Sequence, residues 1–377
     1  MIAFYVSGHG FGHASRDIEV LNELGRRRPE IGVVLRTSAP RWIFDLTLKR
    51  PVDWRPRESD TGVVQIDSLS LDAPETIRRA EKFHRDLDQD AAEEAAWLRR
   101  EGIRLVVGDI PPLAFAAAAR AGIPAIALGN FTWDWIYAGY QDQLAVGSTL
   151  ISKIREAYSQ AVLALRLPMS GGFDMFREVA DLPFIARRSR RRPSETRRHL
   201  NLPDDQPLVL LSFGGYGLSR IDLTKLRDLV GYTLVVTSDV TANRRDDMPA
   251  SVTRMLLPHG VEMLDEKALY AAGYRYEDLV AAVDIVVTKP GYGIIAECVA
   301  NDSAILYTSR GHFPEYEVLV REMPRWLRCG FISNEDLLGG RWQEALDRLR
   351  DQPAAPEQIG TDGAERAVDR ILGCWPS

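Results

Sequence analysis

Short runs of aliphatic and β-branched residues alternate with stretches of helical periodicity along most of this chain. Residues 2–6 (IAFYV), 31–37 (IGVVLRT), 103–109 (IRLVVGD) and 123–129 (IPAIALG) are apolar at consecutive positions, the pattern of strands covered on both faces. Helix-forming segments lie between several of them, and that alternation predicts parallel strands joined by crossover helices. The pattern restarts with residues 208–215 (LVLLSFGG), 233–239 (TLVVTSD), 284–291 (DIVVTKPG) and 303–309 (SAILYTS). Between the two series lies an arginine-dense segment with prolines, residues 187–207, which reads as a domain junction. The expected organisation is α/β: a first doubly wound unit over 1–185, a second over 186–360, and a last helix over 361–377.

Length agrees with two units, since 377 residues exceed the roughly 150 expected of one domain. The formal net charge of -6 gives no reason to expect a nucleic-acid partner. Three cysteines without CxxC spacing indicate neither a zinc site nor a disulfide framework, and fit a reducing cytoplasm. No apolar stretch has the length of a membrane span or the form of a signal peptide. The expected location is therefore cytoplasmic.

Open parallel sheets bind ligands at the carboxyl ends of their strands, so the turns there carry the candidate chemistry. The first is SGHGFGHASR, residues 7–16, where Gly8, Gly10 and Gly12 permit a sharp bend and a close backbone approach before a helix starts. A dinucleotide fingerprint needs glycine where His13 stands, and no GKS or GKT marks a P-loop. His9 and His13 are four apart, but the glycines between them weaken a metal pair. Capping the helix and filling the turn remain open roles for both. In the second unit, TKPGYGIIAEC places Lys289, Gly291 and Gly293 at a strand-to-helix turn suited to a diphosphate, with Glu297 able to accept from a ribose diol. Gly214 and Gly215, after the first strand of that unit, supply a second glycine wall.

With these segments in hand, the chain resembles the GT-B glycosyltransferases of the group containing the bacterial lipid II N-acetylglucosaminyltransferase. It resembles most the glycosyltransferase-like N-terminal region of L-arabinokinase. The motifs that carry this are YVSGHGFGHASR, VVGDIPP, NFTWDWIYAGY, RLPMSGGFDMFREV, SFGGYG, KPGYGIIAE and RGHFPEYEVL, spread over nearly the whole chain. The resemblance implies two Rossmann-like domains facing across a cleft, acceptor on the N-terminal side, nucleotide-sugar on the C-terminal side, and a last helix that crosses back. The sugar-kinase half of L-arabinokinase is missing, so arabinose phosphorylation is not expected.

Sugar transfer requires a base for the acceptor hydroxyl and stabilisation of a departing diphosphate. The family's glycine-histidine bend matches Gly12 and His13, which makes His13 the candidate base, with His9 beside the acceptor. Asp109 orients that histidine, binds the acceptor, or caps the helix after Pro111 and Pro112. Glu315, more than Glu317, matches a carboxylate for donor-sugar hydroxyls. Trp133 either stacks on a sugar or packs in the core, and Asp134 beside it must reach the cleft or find a partner. Most arginines of the junction are expected in solvent. The expected activity is inverting, metal-independent transfer from a nucleotide diphosphate-sugar to a hydroxyl acceptor, with no cofactor. A nucleotide-sugar sensor and a nucleotide-sugar epimerase are the other classes.

Overall fold

The computed structural model describes residues 1–67, 69–213, 223–226, 229–238 and 260–376. Thirteen strands among them form two wholly parallel sheets. The first holds β1 (Ile2–Val6), β2 (Val33–Thr37), β3 (Asp53–Trp54), β4 (Leu105–Asp109), β5 (Ala125–Phe131), β6 (Leu163–Gly171) and β7 (Val179–Asp181) in the order 3-2-1-4-5-6-7. The second holds β8 (Leu208–Ser212), β9 (Thr233–Ser238), β10 (Val261–Asp265), β11 (Ile285–Thr288), β12 (Ala304–Tyr307) and β13 (Cys329–Phe331) in the order 10-9-8-11-12-13.

Every residue of β1, β2, β4 and β5 is buried, which explains the unbroken apolar runs. In each sheet the strand order reverses beside the first strand, between β1 and β4 and between β8 and β11. A crevice opens at such a reversal because the flanking connections leave to opposite faces of the sheet.

The helix Gly10–Arg27 follows β1 and turns Ala14, Ile18, Leu21 and Leu24 inward at helical spacing. Fully burying each of the three larger side chains is worth about 1.5–3 kcal/mol. Arg26 and Arg27 in its last turn complement the helix dipole. The helix packs both on Tyr292–Asn301 of the second domain and on the last helix, Gly363–Gly373. That last helix is fixed where Gly363 N–H donates to Phe184 O at 3.0 Å and where Ile185 bridges Asp362. Arg27 also donates to Asp369 at 2.5 Å. The chain thus passes from the first domain to the second and returns. Among the described residues no helix is long and apolar enough to cross a membrane.

Candidate active site

In the first sheet Val6 of β1 stands opposite Asp109, the last residue of β4, so the bend after β1 and the end of β4 share one crevice. His9 ends the bend in an extended conformation, and His13 lies in the first turn of the helix it introduces. The His13 Nδ1 is 3.0 Å from Asp109 Oδ1. Arg16, one turn further on, donates from Nε to Asp109 Oδ2 at 2.8 Å and from Nη2 to Oδ1. All three side chains are buried. Arg16 Nη2 also lies 2.9 Å from His13 Nδ1, and since a guanidinium only donates, that ring nitrogen either donates to Asp109 Oδ1 or accepts from Arg16 according to the ring's tautomer. Burial alone raises the Asp109 carboxyl; the Arg16 charge and then the His13 ring outweigh it and hold it well below the usual range. In the tautomer that donates from Nδ1 to this carboxylate, Nε2 is the ring's free acceptor.

The backbone beside this pair is unusual. Ile110 has a φ of 60°, a conformation disfavoured for a β-branched side chain. Its carbonyl accepts from Tyr158 Oη at 2.8 Å, and the same hydroxyl accepts from Trp133 N–H at 3.1 Å. Gly129 makes room for it, since a Cβ there would lie 2.8 Å from Ile110 Cγ2.

The second wall begins where β11 ends. Gly291 precedes the helix Tyr292–Asn301, and a Cβ on Gly293 would lie 3.7 Å from Gly12 Cα. The two glycine bends therefore meet. Lys289 Nζ lies 3.5 Å from Gln65 Oε1 of the first domain, and burial, then the Arg310 charge, bring the Lys289 ammonium down to about 7. Arg310 sits over the Phe313 ring at 4.2 Å, with Nη1 3.7 Å from Glu315 Oε2. Glu315 Oε1 accepts from Asn130 Nδ2 at 2.7 Å, across the boundary between the domains. The Arg16 guanidinium lies over the Tyr292 ring, 5.4 Å from its centre, a third contact across the boundary.

No family model matches the chain. The L-arabinokinase of Arabidopsis thaliana is 32% identical over 357 residues, which is 92% of this chain and 32% of that protein. The chain thus spans about a third of the curated relative it matches. The calicheamicin glycosyltransferase is 16% identical with a TM-score of 0.62, covering 99% of this chain and 98% of that one. The kitacinnamycin glycotransferase gives 16% and 0.65, with 100% and 99% covered. A UDP-glucose:anthocyanidin 3-O-glucosyltransferase solved with UDP gives 11% and 0.57, with 99% and 92% covered. The chain has the GT-B fold.

Within this GT-B frame the residues singled out from sequence separate into three groups. His13, Asp109, Gly12, Lys289, Gly291, Gly293 and Glu315 gather where the two sheets' crevices meet. Asp109 does not cap the next helix, whose start carries Pro111 and no side-chain cap. His9 is half-buried, accepts Val63 N–H on Nδ1 at 3.2 Å, and lies edge-on to Trp133. Burial, then the charges of His13, Arg310 and Lys289, keep its ring neutral.

Trp133 and Asp134 take the second of the two roles left open to them, not a place in the acceptor site, and the ribose role of Glu297 changes. Trp133 is fully buried, its Nε1 donating to Asp60 Oδ2 at 2.9 Å and its ring stacked on Tyr137, so it has no open face for a sugar. Asp134 is turned to Arg155, whose Nε donates at 3.0 Å, and not into the cleft. Glu297 is buried and accepts from Nε of the half-buried Arg187 at 2.6 Å, while Arg188, Arg190 and Arg192 of the junction are exposed as expected of most of the run. Burial raises the Glu297 carboxyl above its ordinary value. Gly214 and Gly215 lie outside the described residues.

Arg16, Asn130, Asp60, Ile110 and Arg310 were not assigned roles from sequence. Arg16 and Asn130 stand inside the quoted motifs, three residues after His13 and at the start of NFTWDWIY, and a search for partners able to satisfy a buried Asp109 would have reached Arg16 first. Among the described residues no three His, Cys, Asp or Glu side chains are grouped as a metal site requires.

Proposed function

We propose that the chain is an inverting glycosyltransferase that moves a sugar from a nucleotide diphosphate-sugar to an acceptor hydroxyl. The observation that carries this is the buried His13–Asp109 pair, set against the helix start and Lys289 of the opposing domain. The acceptor O–H gives its proton to His13 Nε2 while its oxygen bonds to the anomeric carbon. The bond from that carbon to the diphosphate breaks on the opposite face, and the nucleoside diphosphate leaves with the electron pair. Asp109 stabilises the imidazolium so formed, and Arg16 keeps Asp109 ionised through the cycle. Lys289, Arg310 and the free N–H groups at the start of Tyr292–Asn301 meet the developing negative charge without calling on a metal. Glu315 accepts from hydroxyls of the donor sugar.

Structures of similar fold were solved with UDP and with DTDP, which supports a pyrimidine nucleotide as the donor's leaving group. The motif resemblance to the lipid II group supports a similar sugar transfer, and the acceptor is left open. A second reading, a module that binds a nucleotide-sugar without turning it over, is favoured by the match to part of a larger L-arabinokinase.

Incubation with a panel of UDP- and dTDP-sugars and hydroxyl acceptors, in chelator, separates the two. Release of nucleoside diphosphate that depends on acceptor is the expected result. His13→Ala should lower turnover by about 10²–10⁴-fold with UDP affinity, read by calorimetry, within ~twofold of the parent. Tight UDP binding with no release from any donor makes the chain a sensor.

A further inference from the structure

Asn130 lies in β5 and is fully buried. The two ends of its amide meet opposite requirements. Its oxygen accepts from Arg16 Nη1 at 2.7 Å, and its nitrogen donates to Glu315 Oε1 at 2.7 Å. A guanidinium cannot accept and a carboxylate cannot donate, so the partners themselves fix which way the amide points. Arg16 at the same time holds both oxygens of Asp109. Glu315 belongs to the helix Pro314–Glu322 of the second domain, and its other oxygen faces Arg310. An unbroken line of polar groups, buried up to the half-buried Arg310 at its end, therefore runs His13, Asp109, Arg16, Asn130, Glu315, Arg310. The link from Asn130 to Glu315 is the step that passes from one domain to the other.

We propose that Arg16 and Asn130 are positioning residues that couple Glu315, on the donor side, to the orientation of the His13–Asp109 pair. This rests on the glycosyltransferase reading above. The bond from Asn130 to Glu315 forms only with the domains brought together, so the base is fully braced only when the donor-side carboxylate is in place. A donor hydroxyl on Glu315 and a proton-accepting His13 are then parts of one arrangement, and the base is set for transfer once the donor is bound. Arg16 suits this position because three of its nitrogens are used in fixed directions; lysine offers one point charge and cannot brace Asp109 and Asn130 together.

The test is a double-mutant cycle with Asn130→Leu and Glu315→Ala, read on the donor that the panel identifies. Asn130→Leu should lower kcat by about 10–100-fold while UDP affinity stays within ~twofold, and the double variant should be little slower than the slower single one. Asn130→Asp supplies a second variant: it keeps an acceptor for Arg16 but opposes two carboxylates, so kcat should recover relative to Asn130→Leu while donor KM rises by about tenfold. A residue that merely filled space would not divide the two constants in this way. Losses that multiply in the double variant, or an Asn130→Leu kcat within ~twofold of the parent, overturn the proposal.

If the parent transfers to no acceptor, it is the glycosyltransferase reading that fails. The link between domains is then judged by urea unfolding of the same four ligand-free proteins. Non-additive unfolding equilibrium constants support it and additive ones remove it.

Discussion

Ile110 shows how much local conformation is held in place by its surroundings. A left-handed backbone at a β-branched residue costs about 1–3 kcal/mol, and releasing it with glycine recovers part of that. The same substitution deletes a fully buried side chain, at about 2–5 kcal/mol. Burial is the larger quantity, so Ile110→Gly should lower stability by ~1–3 kcal/mol on urea unfolding even though it removes the strained residue. A more stable variant would mean that packing around Ile110 is too loose to hold Asp109.

None of this conformation was legible in the sequence. A residue before proline is biased toward extended backbone, and Ile110 precedes Pro111, so the local rule pointed the other way and tertiary contacts from Tyr158 and Gly129 decided it. His13 was legible because a histidine in a glycine bend at a strand end is chemically conspicuous. Trp133 and Asp134 were left between two roles for the opposite reason: an aromatic or a carboxylate near a cleft looks alike in sequence whether it faces the cleft or the core, and the partners Asp60 and Arg155 decide it.

The apolar runs located the central strands, and errors gathered at the edges. β3, β7 and β13 are two or three residues long, and β6 alternates along LALRLPMSG with a proline inside it. An edge strand has one neighbour and an exposed side, so it carries no continuous apolar signature. The ends of the central strands were drawn too far, as in 284–291 against Ile285–Thr288, because the Pro-Gly turn that follows a buried strand prolongs its low polarity.

Helix attachment depends on close approach that composition cannot reveal. A Cβ at Gly363 would lie 2.4 Å from Pro183 O and 2.7 Å from Phe184 O, both backbone atoms with no side-chain freedom to yield. Gly363→Ala should therefore cost about 1–3 kcal/mol by urea unfolding and loosen the last helix from the first domain. Hydrogen exchange over 363–373 would show it, and unchanged protection there would mean that the backbone gives way at no cost.

Taken as one body, the protein balances carboxyls that titrate in opposite senses. Burial, only partly offset by hydrogen bonds from Ser7 and Trp133, pushes the Asp60 carboxyl up to about 6. With an unfolded value near about 3.9, the native state binds the extra proton. Its stabilising contribution is full below ~4 and is lost as pH rises through ~6. Asp109 is depressed, so its contribution is present above ~4 and is lost only in acid. Asp60→Asn removes the first effect and leaves the second. Relative to the parent, the variant should gain on the order of 2–3 kcal/mol between pH 4 and pH 7.5 in urea unfolding. A parent-minus-variant difference that does not change with pH would show that Asp60 is solvated in the native state.

The return of the chain has a mechanical meaning. Two covalent strands join the domains, one after β7 and one before Gly363, and a body tied at two points cannot tumble about a single tether. The second tie holds the first-domain end of the last helix as well as the junction, and Gly293 stands beside Gly12 in the space between the domains. The arrangement also sets an order of assembly. The apolar face of Gly10–Arg27 that the last helix covers is among the first surfaces synthesised and among the last to be sheltered. At ~5–20 residues per second the wait is on the order of tens of seconds. Throughout it, the half of the protein that carries His13 must hold its shape on the ribosome without the piece that completes it.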